Sequence, residues 1–447
     1  MAGVAVRSQT SLTKAACRIS SPTTRSYATS IPARAHHRIV IVGGGTAGVT
    51  VAAQVARANQ LDKPDIAILD PASTHHYQPG WTLVGSGLKP LSQMQRPLPS
   101  VIPPGVKHYP LSVSNFDPAN SVVKTSEGVD ISYDFLVVAP GLETNISGVS
   151  GLSEALQDPA RPVSSIYSAQ TVEKVWKNIQ ALKQGNAIFT QPAGMIKCAG
   201  APQKILWMAL SQWTRDGVRG NIDATFATGA PVMFAVPKYS QALESLRQQR
   251  NVEGLFQHNL IAVDSKSNVA TFKNLADGGK EVQKPFDFLH VVPPQKPWDW
   301  VAKSPLADEA GWVAVDKATT QHTKYPNVFS LGDASSLPNS KTAAAITSQA
   351  PVLVHNLLSV MSGKQLNAEY DGYASCPLLT GHNELMLCEF KYGGVPKETF
   401  SSLVGGQEKP RRAFYHLKKD FFPSIYWSSF VKGKWFGPKA FSQPKYP

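Results

Sequence analysis

Apolar residues cluster in a short unbroken run, Arg38-Ile39-Val40-Ile41-Val42, that gives way to Gly43-Gly44-Gly45-Thr46-Ala47-Gly48 and then to a helical pattern over Val49 to Ala58. Such a run, without alternation, fits a parallel strand covered on both faces, and the glycines fit a tight turn into a helix N-terminus. A second run, Asp65 to Leu69, ends in Asp70; Phe135 to Ala139 closes on Pro140-Gly141; Asn327 to Leu331 closes on Gly332-Asp333. Val172, Val175, Trp176 and Ile179 fall at helical spacing. Asn186 to Gln191 then opens a second strand-helix unit with its helix over Pro202 to Arg215, its next strand over Pro231 to Val236 and its next helix over Tyr239 to Gln249. Pro285 to Pro293 reads as a returning strand, and Lys341 to Met361 as a helix that Pro351 should kink. Strands alternating with helices predict an α/β fold with two Rossmann-like domains. The first is discontinuous, over 37–160 and 298–370, and the second spans 161–297. Residues 371–447 form a separate C-terminal region.

Each glycine of the first loop has a task in a dinucleotide site. Gly43 makes the turn, Gly45 admits a pyrophosphate to the backbone and Gly48 lets helix and strand pack closely, while Gly44, Thr46 and Ala47 complete the cradle. The helix N-terminus favours the phosphates, and Asp70 stands where a carboxylate accepts hydrogen bonds from the adenosine ribose. With Ala139-Pro140-Gly141 and Gly332-Asp333 added, the set resembles the FAD-binding motifs of the two-dinucleotide-binding-domain flavoproteins. In that family the carboxylate matching Asp333 binds the ribitol chain. A second glycine fingerprint for NAD(P)H should then open the second domain. The loop there instead reads Pro192-Ala193-Gly194-Met195-Ile196-Lys197-Cys198-Ala199-Gly200-Ala201, with a cysteine where phosphate would sit.

The 447 residues are 42% hydrophobic and 17% charged, enough core for two or three domains. The net charge of +13 is concentrated at the two ends. Residues 1–36 hold Arg7, Lys14, Arg18, Arg25 and Arg34 among many Ser, Thr and Ala, with no acid before Asp62. That is the composition of a mitochondrial transit peptide. Residues 405–447 carry nine Lys or Arg against Glu408 and Asp420, together with eleven aromatics. A basic aromatic tail can suit nucleic acid. Here the aromatics lie on short helical patterns, which favours an anionic membrane surface, with Phe421, Phe422, Tyr426 and Trp427 facing lipid or quinone. Packing under the first domain is the competing reading. No run approaches the ~18 apolar residues of a spanning helix, so the segment should lie on the membrane without crossing it. Both cysteine motifs and the FAD motifs precede it, so truncation after about Gln407 should leave a flavoprotein.

Four cysteines are present. Cys17 belongs to the presequence, and Cys388, within Leu385-Met386-Leu387-Cys388, reads as a buried strand residue. Cys198 precedes a helix whose dipole, with Lys197 or Lys204, favours thiolate. Cys376 sits before Pro377 in what reads as a turn. Spacing alone fits two unpaired thiols, and a disulfide in a reducing compartment would be catalytic. The adjacent His75 and His76 read as a helix-start or surface pair. No metal-ligand cluster stands out.

Taken together, Lys197-Cys198-Ala199-Gly200-Ala201-Pro202-Gln203-Lys204, His76-Tyr77-Gln78-Pro79, Ser340-Lys341-Thr342-Ala343-Ala344-Ala345 and Tyr373-Ala374-Ser375-Cys376-Pro377-Leu378 resemble the mitochondrial sulfide:quinone oxidoreductases. The resemblance covers nearly the whole chain after residue 36. It implies a redox-active pair at Cys198 and Cys376 beside a non-covalent FAD lined by Gln78, Val113, Lys341, Thr342, Ala343 and Ala344. It further implies attack of hydrosulfide on the pair, a persulfide on Cys376, and transfer of the sulfane sulfur to sulfite, glutathione or cyanide. Two electrons would pass through FAD to ubiquinone at the inner mitochondrial membrane, on its matrix side. A type II NADH:quinone oxidoreductase and a redox-inert FAD scaffold are the competing readings.

Overall fold

The computed structural model describes Gly3, residues 33–58 and residues 65–446. The expected presequence lies outside the described residues except at its end. Strand β1 begins at Arg34 (Arg34–Val42) and pairs with Asp130 from its first residue.

The fold is α/β. Its first sheet has a parallel core in which β1 lies between β2 (Ile66–Leu69) and the strand Asp130–Val138, with Lys107–Tyr109 outside β2 and Val328–Ser330 beside Asp130–Val138. Register decides where a ligand can sit. Val42 pairs with both Leu69 and Val138, and Val138 with Ser330, so these strands end level with one another. The Gly43 loop, Asp70 and Ala139 to Gly141 begin one residue later and Gly332-Asp333 two, at the carboxyl edge where open α/β sheets bind ligands. The strands are buried on both faces, Ile39, Val40 and Ile41 completely, which explains their unbroken apolar character.

Helix α1 (Thr46–Arg57) leaves the loop and packs against the helix Ala343–Met361. That second helix is 19 residues long and apolar enough to cross a membrane, contrary to the expectation that no such run exists; it is mostly buried inside the protein, as a core helix is. It starts at Ala343 with Thr342 as its N-cap, the hydroxyl accepting from the Ala345 amide at 3.1 Å, and it continues through Pro351.

The second domain carries a parallel sheet in the order Val163–Ser164, Phe288–His290, Gly185–Gln191, Ile222–Thr228, Val252–Phe256. The strand expected over Pro231 to Val236 is Ile222–Thr228 instead. Its Ala and Thr residues are small enough to lie between two parallel neighbours, whereas Pro231 offers no N–H to a ladder. Three antiparallel strands between His258 and Pro285 form a small sheet the sequence pattern did not announce.

The C-terminal region opens with a hairpin, Ala374–Gly381 and Glu384–Lys391, packed on the helix Ala201–Arg215. Cys376 is therefore in a strand, not a turn, directly across from Cys388. A helical run then covers residues 412–430, with π-type turns at Leu417–Phe421 and Tyr426–Phe430.

Packing at the loop is close enough to test. A Cβ on Gly48 would overlap the Gly43 carbonyl oxygen, a backbone atom that cannot move without dragging the turn. Gly48→Ala should cost at least about 2 kcal/mol of stability in urea unfolding, an overpacking cost with no side chain free to give way.

Candidate active site

A cavity of about 650 Å³ runs from the carboxyl edge of the first sheet to the C-terminal helical run. Gly43 to Ala47, Asp70, Gln78, Ala139, Gly141, Asp333 and Lys341 to Ala344 line it, together with Cys198 and Lys204. Gly48 stands just behind, against Gly43. Nothing lies within 4 Å of the position a Gly45 Cβ would take, so the loop is open at the residue where a phosphate would approach. Asp70 steadies the same loop. Its Oδ2 accepts from the Gly44 amide at 2.6 Å and its Oδ1 from the Ala72 amide at 2.8 Å.

Val113 does not line the cavity. It pairs with Thr125 in a hairpin whose inner strand, Val122–Thr125, is laddered to Asp130, Ile131 and Ser132, the amino half of its neighbour, whereas the cavity lies past the carboxyl end at Val138.

The sulfur site is built on the turn into the helix Ala201–Arg215. Cys198 has a left-handed backbone, φ 52°, which few non-glycine residues adopt. Its amide donates to the Lys341 carbonyl at 2.7 Å, fixing the turn to the segment after Gly-Asp. Two residues on, Gly200 carries no side chain because a Cβ there would overlap the Cys376 sulfur. The two sulfurs are 3.9 Å apart as free thiols. Cys198 lines the cavity; Cys376, 1% exposed, lies behind it.

Lys204, one turn into the helix and 1% exposed, donates from Nζ to Cys198 Sγ at 3.1 Å and to Cys376 Sγ at 3.3 Å. The Cys376 thiol hydrogen-bonds to Cys198 and, with Lys204, holds Cys198 well below the ordinary thiol range in spite of burial. The same hydrogen bond and burial push Cys376 up. Burial opposes the charge on Lys204, but the two sulfurs outweigh it and raise its pKa. With both cysteines reduced, the three shifts favour the negative charge on Cys198, the proton on Cys376 and the positive charge on Lys204.

Three further lysines line the cavity. Lys341 donates to the Asp333 and Ser335 carbonyls at 2.8 and 2.9 Å and is lowered to about 8, by burial first. Lys197 donates to Gln78 Oε1 at 2.9 Å and is lowered by burial. Lys418, 3% exposed, donates to the Pro79 carbonyl at 2.8 Å and is brought down to about 7 by burial and by the like charge of Lys204. Lys418 counted in the sequence only as tail charge; nothing local to it signals burial.

Two expectations are overturned. His75 is not a surface residue: it is 3% exposed, with Nδ1 against the Gly44 carbonyl at 2.9 Å and Nε2 against the Tyr426 hydroxyl at 2.6 Å, because β-pairing with Arg96 turns it inward. Nor is the C-terminal segment separable. Lys418, Phe421, Phe422 and Tyr426 line the cavity, and Phe414, Tyr426, Phe430 and Phe436 are buried, so truncation after Gln407 removes one wall of the site. Trp427 points elsewhere, its indole N–H donating to the Gln93 carbonyl at 3.1 Å under the Arg96 guanidinium.

The glycine loop at a parallel sheet edge beside two close cysteines fits the flavoprotein type, and residues 37–190 match the pyridine nucleotide-disulphide oxidoreductase family. Over 434 residues the chain is 48% identical to "Sulfide:quinone oxidoreductase, mitochondrial" of Schizosaccharomyces pombe, covering 93% of this chain and 94% of that one. Its identity to the Mus musculus protein of the same name is 41% over 406 residues, covering 91% and 89%. The chain belongs to the mitochondrial sulfide:quinone oxidoreductase family. The X-ray structure of the sulfide:quinone oxidoreductase from Aquifex aeolicus shares the fold, with a TM-score of 0.72 at 19% identity over 88% of this chain and 91% of that one.

Replacing Lys204 by Met removes the cation nearest both sulfurs. The pH profile of Cys198 alkylation, followed by peptide mapping, should then move upward by one pH unit or more, within the range of about 1 to 3 that a close opposite charge commands.

Proposed function

We propose that this chain oxidises hydrogen sulfide at Cys198 and Cys376 and passes two electrons through a non-covalent FAD to ubiquinone at the matrix face of the inner mitochondrial membrane. The observation that carries the proposal is the buried Lys204 ammonium bridging both sulfurs at the edge of the glycine-loop cavity. The family membership supports sulfide and quinone as its partners.

The cavity suits FAD. Gly43 to Thr46 with the α1 N-terminus would hold the pyrophosphate, Asp70 the adenosine ribose, and Asp333 the ribitol, with Gln78 and Lys341 to Ala344 around the ring. Among the described cysteines only Cys198 lines this space, which favours non-covalent binding. FAD, when bound there, supplies a two-electron acceptor for the cysteine pair and a two-electron donor to quinone.

The sulfur step follows from the electrostatics. In the oxidised pair, hydrosulfide attacks one sulfur and expels the other as thiolate, and the lower-pKa thiol leaves faster. Cys198 is that leaving group because the Lys204 ammonium, 3.1 Å from its sulfur, stabilises the thiolate. The new S–S bond is therefore made to Cys376, giving Cys376 persulfide and Cys198 thiolate, with no net change of electrons. Lys204 stays within reach of both sulfurs. A nucleophilic acceptor such as sulfite, glutathione or cyanide then takes the outer sulfur from Cys376, and loss of two electrons from the pair re-forms the disulfide.

On the opposite side, Phe421, Phe422, Ile425, Phe430 and Trp435 line an apolar stretch of the cavity suited to a quinone ring. Phe421 meets Trp435 edge to face, and Trp435 meets Phe441 likewise, with Phe441 61% exposed. Exposed Lys432, Lys434 and Lys439 flank this aromatic edge, the combination that favours an anionic lipid surface.

Anaerobic addition of sulfide should bleach the flavin spectrum, and NADH should not. Cys198→Ser and Cys376→Ser should each lower sulfide-dependent quinone reduction by at least about 10³-fold with FAD still bound, since neither residue alone can form the bridge. Flavin reduced by NADH and left oxidised by sulfide would reverse the assignment.

A further inference from the structure

Tyr426 lies 380 positions from Thr46, yet its hydroxyl is 2.7 Å from Thr46 Oγ1 and 2.6 Å from His75 Nε2. It is 1% exposed, and its ring sits 4.3 Å from that of Tyr77. The protons of this network can be placed one by one. The Gly44 carbonyl only accepts, so His75 Nδ1 carries a hydrogen and donates to it at 2.9 Å. Burial holds His75 neutral, so Nε2 is the bare nitrogen and accepts from Tyr426. The Tyr426 oxygen is left to accept from the Thr46 hydroxyl. The relay runs Thr46 to Tyr426 to His75 to Gly44, and it begins and ends on the two residues that flank Gly45.

Those are the residues a pyrophosphate would approach. A run of three glycines has more conformations to lose than any other sequence, so a loop of this kind gains most from being held from outside. Within the first domain it is held through Gly43 N to the Leu69 carbonyl, Gly44 N to Asp70, the Gly45 carbonyl to Val49 N and the Gly44 carbonyl to His75. The last of these, through His75, and the restraint on the Thr46 hydroxyl meet at one phenol supplied by the C-terminal run. The same run is pressed onto α1 further along, where a Cβ on Gly433 would crowd the Gln54 amide.

We propose that the C-terminal helical run is a working part of the dinucleotide site. Tyr426 and His75 are positioning residues that hold the Gly44 to Thr46 turn in its ligand-binding shape, so FAD binding and docking of residues 412–430 reinforce one another. This rests on FAD being the ligand of the glycine loop. Because coupling is reciprocal, whatever loosens the helical run must weaken FAD by the same factor, and FAD must tighten the run.

Two measurements on the full chain test it. FAD affinity, read from flavin fluorescence during reconstitution, should fall by about tenfold in Tyr426→Phe, which deletes the hydroxyl and keeps the ring. The Tyr426→Phe, His75→Leu double variant should bind FAD within about twofold of His75→Leu alone, since both act through one relay. Independently of any variant, adding FAD to the apoprotein should slow amide exchange across residues 412–430, and less so in Tyr426→Phe. Tyr426→Phe binding FAD as tightly as wild type, losses that multiply in the double variant, or exchange over 412–430 indifferent to FAD would each overturn the coupling. A chain that takes up no FAD at all would instead overturn the cofactor assignment beneath it.

Discussion

The site depends on an ammonium group with nowhere to go. Lys204 is buried beneath the turn at Cys198, and a buried cation costs several kcal/mol unless it is paired and hydrogen-bonded. Its hydrogen-bonding partners are the two sulfurs, 3.1 and 3.3 Å away. The charge on the lysine and the charge on the cysteine pair are thus two sides of one requirement, and it polarises the pair: the Cys198 thiol is pulled down and the Cys376 thiol pushed up. Lys418 pays the electrostatic consequence. Buried, sharing the cavity with Lys204 and lacking a carboxylate partner among the described residues, it is driven to about 7.

That requirement orders the surrounding structure. The helix Ala201–Arg215 brings Lys204, the hairpin packed on it brings Cys376, and the segment after Gly332-Asp333 holds Cys198 through the Lys341 carbonyl. Close approach of the sulfurs is possible only because position 200 has no side chain. A positive φ at Cys198 is a local strain of the kind that survives when the surroundings over-determine it.

The C-terminal region serves both ends of the cavity at once. Its hairpin supplies a sulfur, its helical run covers the far wall, and Tyr426 reaches back to the glycine loop. Beyond that run, Phe441 and Lys432, Lys434 and Lys439 are exposed. One segment thereby touches the sulfur chemistry, the dinucleotide site and the outer face through which an apolar electron acceptor would enter.

Much of the fold was legible in the sequence, because its signals are local. An unbroken apolar run followed by glycines, with an acid some twenty residues on, specifies β1, its turn, α1 and Asp70 through short-range sterics and burial. Gly332-Asp333 and the Cys198 turn read the same way, as strand ends and a helix start. What the pattern could not supply were contacts between distant residues. Cys198 and Cys376 are 178 positions apart and Tyr426 and His75 351, and no periodicity records which loops meet. Reading His75 as a surface residue, Cys376 as part of a turn and the tail as separable failed for that reason: each is decided by what packs against it. Val113 lies away from the cavity for a related reason, since strand register, not composition, sets which end of a hairpin faces the ligand edge. The sequence determined the glycine loop and the placing of Cys198 at a helix start. Only the tertiary structure decided that a buried lysine charges one of them and that the end of the chain closes the site, because desolvation and long-range packing exist only once the chain has folded.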